Sequence, residues 1–346
     1  MTGEPLLPDP VPPVHPVTLA DIAREAGTSA STASRALSGR GYVSEAARDR
    51  LVAVAERLGY VPNASARTLK QRTSRVIGVV VSDLDNPFYA RLVAGIEQVL
   101  REAGYQMMVL GDNNHGAEEL AGARAFLAMR APGVIITPVG EHAIPLLVTQ
   151  GVAVVEVDRR LADVACDAVV IDNERGGRAA AEHLIALGHA RIALVGVETD
   201  WTSDAGRLHG YGAALAEHGL EPYVLRIPLH APDAPERIDS FVREVAPTAV
   251  FAANNKLAED VWHVLRSRRL RIPDDVSLVG FDDVSWMEMV EPAITVVDQP
   301  TLALGRCAAE LLLRRLEGSL EPPGVEVLQP TLVVRGSTGP AIAERP

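Results

Sequence analysis

Two rhythms of apolar residues divide the chain. From Val17 to Leu58 apolar positions recur every three or four residues, the spacing of helices that bury one face. Leu19, Ile22, Ala23 and Ala26 form one stripe. Ala33, Ala36 and Leu37 form a second, and Ala47, Leu51, Val54, Ala55 and Leu58 a third. The punctuation agrees with three helices. Thr18 and Asp21 make an S/T-x-x-D/E start signal, and Gly27 suits the left-handed residue that stops a helix. Thr28 and Ser29 offer a second cap for a helix over about 30–37. Ser44 caps a third over about 45–58, closed by Gly59. Ile22, Ala33, Val43 and Leu51 can close the core of this small bundle.

From Arg75 the rhythm changes. Val76–Val81 is a continuous β-branched run, as expected of a strand buried on both faces. Further strands are expected near 106–110, 133–137, 153–157, 168–171, 192–195, 224–227, 249–252 and 277–281. Helices are expected near 88–103, 117–129, 176–187, 206–218, 235–245, 257–268 and 302–316. Alternating βα units imply parallel sheets with right-handed crossovers. About nine strands exceed what one such sheet needs, so two doubly wound parallel-sheet lobes with a cleft between them are expected. The fold class is therefore an all-α helix-turn-helix head on an α/β body. The domain plan is a tail at 1–16, a head at 17–62, a linker at 63–75, a body at 76–338 and a tail at 339–346. The body is expected to cross between lobes near 172, 298 and 320.

The second helix of the head is small and polar outside, with Ser31, Thr32, Ser34 and Arg35. Two short helices joined by a Gly turn, the second carrying an Arg, suit a DNA major groove. An ordinary helical hairpin has the same local pattern. Residues 1–16 hold six prolines and no apolar period, as in a disordered tail. In YVPNASARTLK (60–70), Pro62 breaks the chain and Asn63 can cap a helix too short to stand alone in water. It reads equally as a hinge that folds on DNA or as a plain linker.

Charge sharpens the DNA reading. The chain of 346 residues carries a net charge of −12, which alone argues against nucleic acid. Between Val17 and Arg75, however, ten Lys/Arg face five Asp/Glu, a net +5 that leaves −17 on the rest. A basic head on an acidic body confines DNA contact to the head. No apolar run reaches the ~18 residues of a membrane span, and no signal peptide is apparent at the N-terminus. The two cysteines, Cys166 and Cys307, lack ligand-spaced neighbours. The cytoplasm is the simplest location, and no cofactor or metal is expected. No GxxxxGK, GxGxxG, GxSxG or HExxH motif is present, which argues against an enzyme.

In doubly wound folds ligands sit past the carboxyl ends of strands. Those ends carry Phe88 and Tyr89, Asp158, Trp201, Ser203, Arg207, Asn254 and Asn255, and Asp282 and Asp283. Aromatic, Arg, Asp and Asn side chains fit a small polar ring-shaped ligand. Asp, Asn and Ser also favour turns and caps for local reasons, whereas Tyr89 and Arg207 are not typical turn residues.

Taken together, VTLADIAREAGTSASTASRALSG, YVPNASARTLK, IGVVVSDLDNPFY, VIDNERGGRAAAEHLIALGH, AGRLHGY and IPDDVSLVGFDD resemble the lactose-repressor (LacI) family of bacterial transcriptional regulators, from Val17 to about Arg335. The resemblance implies a homodimeric regulator, most simply a repressor, that binds a palindromic operator. It implies that Ala30, Ser31 and Arg35 face bases, that Thr18, Ser29, Thr32 and Ser34 bind phosphates, and that Asn63, Ala66 and Leu69 belong to a minor-groove hinge with Leu69 as wedge. Ala30 is smaller than the residue often found there, so fewer direct base contacts are implied. An effector pocket is implied at Phe88, Tyr89, Asp158, Trp201, Ser203, Arg207, Asn255 and Asp282. Asn255 stands where sugar-binding members commonly have Asp, which removes a charged acceptor; the effector is then a sugar, a nucleoside or another metabolite. The competing reading is a solute receptor with the same two-lobed body and no DNA role. It would need an export signal and no basic head. No heptads follow Gly336, which favours a dimer over a tetramer.

Overall fold

A computed structural model describes residues 17–39, 41–60, 74–161 and 166–341. The tail readings at 1–16 and beyond 341, and the hinge residues Asn63, Ala66 and Leu69, lie outside the described residues. The chain separates into two compact units, Met1–Arg72 and Thr73–Pro346. Ser74 and Arg75, placed in the linker by the sequence, belong to the second unit. The Ser74 N–H donates to the Arg130 carbonyl at 3.0 Å, and the Arg75 carbonyl accepts from Gln106 at 2.8 Å.

In the first unit, α1 (Leu19–Glu25) opens on the expected box. Thr18 Oγ1 accepts from Asp21 N–H, and Asp21 Oδ2 accepts from Thr18 N–H at 2.9 Å. Hydrogen bonds from Thr18, then Arg24, hold the Asp21 carboxyl below its usual range. Gly27, at φ 65°, reverses the chain while the Thr28 N–H closes back on Ala23 O at 2.8 Å. Ser29, not Thr28, caps α2 (Ala30–Ser38), accepting from Thr32 N–H at 3.2 Å. Among the described residues Thr28 Oγ1 is buried without a partner. Ser44 precedes α3 (Glu45–Arg57) but makes no side-chain capping bond. Ile22, Ala33 and Leu51 are fully buried at the centre, with Val43 packed against them.

The second unit begins at β1 (Val76–Val81), whose β-branched run is buried as its composition requires. There follow α4 (Pro87–Glu102), β2 (Gln106–Gly111), α5 (Gly116–Ala128), β3 (Gly133–Ile136), α6 (Ala143–Thr149), β4 (Ala153–Val157) and β5 (Asp167–Ile171). The next run is α7 (Asn173–Ala186), β6 (Ile192–Val197), α8 (Thr202–Glu217), β7 (Tyr223–Ile227), α9 (Ala234–Val245), β8 (Ala249–Ala252), α10 (Asn255–Ser267), β9 (Ser277–Phe281), α11 (Trp286–Met289) and β10 (Thr295–Asp298). The body closes with α12 (Thr301–Leu316), β11 (Val325–Leu328) and β12 (Thr331–Val333).

Two six-stranded sheets result, ordered β11-β5-β4-β3-β1-β2 and β12-β10-β9-β8-β6-β7. The first is wholly parallel. The second is parallel except for β12, which runs antiparallel to β10 at its edge. The chain crosses between lobes at Asp172, at Gln299-Pro300 and at Gln329-Pro330. The third crossing lies beyond the expected position near 320, because β11 completes the first sheet before the chain leaves it. Each arriving helix then packs tightly in its new lobe. A Cβ at Gly177 or Gly210 would collide with backbone carbonyls between α7 and α8, and one at Gly95 or Gly305 would do the same between α4 and α12.

Candidate DNA-binding surface and effector cleft

On the first unit, Thr18, Ser29, Ala30, Ser31 and Arg35 are exposed, and Thr32 and Ser34 are half-buried. All but Thr18 and Ser29, which cap the two helices, lie on α2. Arg24 and Arg57 are tied to Asp21 and Glu25. Arg35 forms no ion pair among the described residues; its Nε donates only to the Ser31 carbonyl at 3.2 Å. Its guanidinium is thus available to an external acceptor. Gly41, at φ 87°, lets the following loop lie against the Arg35 stem, 3.1 Å from where a Cβ would stand.

In the second unit, a cavity of about 260 Å³ opens past the carboxyl ends of both sheets. Phe88, Tyr89, Asp158, Trp201, Ser203, Arg207 and Asp282 all line it, so residues far apart in sequence converge. Asn255 is the exception among the expected set. It sits behind the wall, its amide turned to Asp282 at 2.8 Å and to Asn86 at 3.1 Å. Asn254 takes a place on the wall instead while its Oδ1 accepts from Leu257 N–H at 2.8 Å.

The principal wall residue that sequence reasoning missed is Arg159. Only 2% of it is exposed. Its Nη2 donates to Ser82 Oγ at 2.6 Å and Tyr89 Oη at 2.9 Å, its Nε lies 3.5 Å from Asp158 Oδ2, and its guanidinium covers the Trp201 ring at 3.6 Å. Two aromatic features expected to meet the ligand are therefore engaged by a cation from within the chain: the Tyr89 hydroxyl and one face of Trp201. Burial raises the Tyr89 hydroxyl above its ordinary range, with Arg159 opposing. The signal in the sequence was adjacency alone, an Arg directly after the strand-ending Asp158.

Arg207 is held flat over Phe281 at 3.7 Å, with its Nε bonded to Asn173 Oδ1 at 2.9 Å and its Nη1 to the Ala253 carbonyl at 2.8 Å. Burial pushes Asp158 up, opposed by Arg159 and Arg207. Asp282 instead accepts hydrogen bonds from two amides, Asn255 and Gln299. Fixed donors and acceptors around an apolar rim can orient a small polyhydroxylated or heterocyclic molecule. Among the described residues no three His, Cys, Asp or Glu side chains converge to hold a metal, and no helix is long and apolar enough to cross a membrane.

Comparison with known proteins resolves the class. Residues 18–63 match the model of bacterial regulatory proteins of the lacI family, and residues 181–338 match a periplasmic binding protein-like domain. The regulator DegA of Bacillus subtilis is 30% identical over 93% of this chain and 98% of its own length. This chain belongs to the LacI family. PtxS of Pseudomonas plecoglossicida, another regulator of transcription, is 34% identical over 93% of this chain and 96% of its own. The lac repressor dimer bound to operator and the anti-inducer ONPF superposes with a TM-score of 0.83 at 27% identity, over 94% of this chain and all of that one. The CelR–cellobiose complex gives 0.70 at 31%, over 93% and 99%. As a LacI-family protein, the chain is a transcriptional regulator with a DNA-binding head and an effector-binding body; these relatives are regulators, not enzymes.

Proposed function

We propose that two copies of this chain bind a palindromic operator as a repressor in the cytoplasm, with α2 of each head in the major groove. Arg35 reads a guanine bidentately, flanked by Ala30 and Ser31. Thr18, Ser29, Thr32 and Ser34 fix the register on phosphates. Asn63, Ala66 and the wedge Leu69 complete the grip from the minor groove. A small metabolite in the cleft, held by Phe88, Asp158, Trp201, Ser203, Arg207 and Asp282, shifts the balance between lobe arrangements and so the spacing of the two hinges. The observation that carries this reading is the pairing of an exposed Arg35 on α2, without an ion pair among the described residues, with a cleft into which seven expected residues converge.

The test is an operator selected from random duplexes, followed by fluorescence anisotropy. Arg35→Ala should bind selected and random DNA alike, weakly and with strong salt dependence. Equal losses on both DNAs would remove Arg35 as a base reader. Arg207→Ala should keep operator affinity but lose the heat of binding for whichever metabolite a thermal-shift screen identifies. Unchanged calorimetry would take Arg207 out of the pocket.

A further inference from the structure

One side chain bonds to both walls of the cleft. Asn255 opens α10 in the second lobe and is 3% exposed. Its Nδ2 donates to Asp282 Oδ2 at 2.8 Å within that lobe, and to Asn86 Oδ1 at 3.1 Å in the other. Its backbone N–H also reaches Asp282 Oδ2 at 3.4 Å. Asn86 uses the same oxygen to accept from Phe88 N–H at 3.0 Å, as the cap of α4. The second Asp282 oxygen accepts from Gln299. One buried amide thus spends its two donors on opposite sides of the cleft. Other contacts cross nearby: Arg160 N–H to Thr202 Oγ1 at 3.1 Å, Arg159 over Trp201, and His230 Nε2 with the Asn113 carbonyl at 3.2 Å.

We infer that Asn255 is the positioning residue of the cleft: its amide latches the two lobes and presets Asp282 before any ligand enters. The inference rests on reading the cleft as the effector site. The chemistry requires an amide. A carboxylate at 255 has the same shape but no donor, and would leave three acceptors, those of residues 86, 255 and 282, facing one another out of water. Attraction across the cleft would become repulsion without a change in packing volume. On that inference the latch also changes what the effector must do. It meets a closed site already populated, so its affinity carries no penalty for selecting a rare closed state.

The test uses the full chain without ligand. Spin labels on Glu141→Cys in the first lobe and Glu236→Cys in the second, in a Cys166→Ala/Cys307→Ser background, report the distance between lobes. The otherwise wild-type protein should show one short distance. Asn255→Asp should shift most of the population to a longer one, and Asn86→Ala should do the same. Asn86→Asp, which keeps an acceptor for both the Asn255 amide and the Phe88 N–H, should restore the short distance; a merely structural role for residue 86 would not give that pattern. A long distance in the wild-type background, or a short one in both Asn255→Asp and Asn86→Ala, overturns the latch. Should Asn255→Asp fail to fold, the two Asn86 variants decide. Because no ligand is involved, failure here is separate from failure of the Arg207 calorimetry.

Discussion

Asp158 follows the fourth strand of the first lobe and Asp282 the fourth strand of the second, and both hold a left-handed backbone, at φ 73° and 69°. Each N–H reaches the carbonyl of the next strand at 3.0 Å, Val169 in one case and Val297 in the other. The strand orders correspond position by position, and each lobe cinches two helices through a glycine pair. What the lobes bury differs. The first buries Asp112, Glu119, Glu156, Asp158 and Arg159; the second buries Arg207 and Asp282 along with the uncharged Asn173, Asn255, Ser277, Thr295 and Gln299. One backbone plan therefore carries two electrostatic interiors, ionic in the first lobe and largely neutral in the second. The geometry comes from strand and helix packing, and the charge is chosen separately.

The equivalence of the glycine pairs can be broken most directly. Gly210→Ala and Gly305→Ala should each destabilise the body by about 3 kcal/mol or more in thermal unfolding, because the added Cβ meets a facing helix backbone that cannot move aside. A large loss at one site alone would show that the two lobes are packed by different means. The charge contrast predicts unequal costs next. Arg159→Met strands Ser82, Tyr89 and Asp158 and should cost about 3 kcal/mol, whereas Asp282→Asn, facing two amides, should cost about 1 kcal/mol.

A pH series sharpens the contrast further. Burial, with a smaller push from Glu119, raises Asp112 to about 7, against the Asn114 N–H and Arg159. Burial raises Glu119, Glu156 and Asp158 as well. For Asp112 the folded chain keeps a proton that the unfolded chain has released, so its contribution falls as pH climbs from about 4 to about 7 and stays low above that. Asp112→Asn should raise stability at pH 8 by on the order of 2 kcal/mol and do little at pH 4. The second lobe has Pro228 after the corresponding strand, so no matching variant exists there. The smallest effect is a control. Gly212→Ala lies on the same helix as Gly210 with nothing near its Cβ, and should stabilise by about 0.5–1 kcal/mol.

Much of this was legible in the sequence where local pattern and burial coincide. Val76–Val81, Ala153–Val157 and Ser277–Phe281 read as strands because both faces are apolar, and the helix stripes of the head mark its core. Thr295–Asp298, Val325–Leu328 and Thr331–Val333 escaped. The first is only four residues long, and the other two are edge strands split by Pro330, half exposed, so neither alternation nor a continuous apolar run marks them. Alanine-to-threonine 143–149, a short helix with Pro145 in its first turn, escaped for a similar reason. In the cleft, Tyr89 and Arg207, side chains unusual for a turn, line the cavity. Arg159 and Gln299 were not legible, because their roles depend on partners from other strands. Asn255 was read as a contact because it follows a strand, yet its amide is taken up by residues 86 and 282, which no spacing along the chain reveals.

The three crossovers have a practical consequence for dissecting this protein. Because β11 and the helix before it return to the first lobe, and β12 ends in the second, neither lobe is one uninterrupted length of chain. Cutting the gene once anywhere within the body gives no fragment that is one lobe alone, because a piece holding all six strands of one sheet also carries strands of the other. Single-break complementation or reporter insertion should therefore be sited in exposed loops that leave both halves to reassemble, and isolated lobes must be built by joining distant segments rather than by truncation.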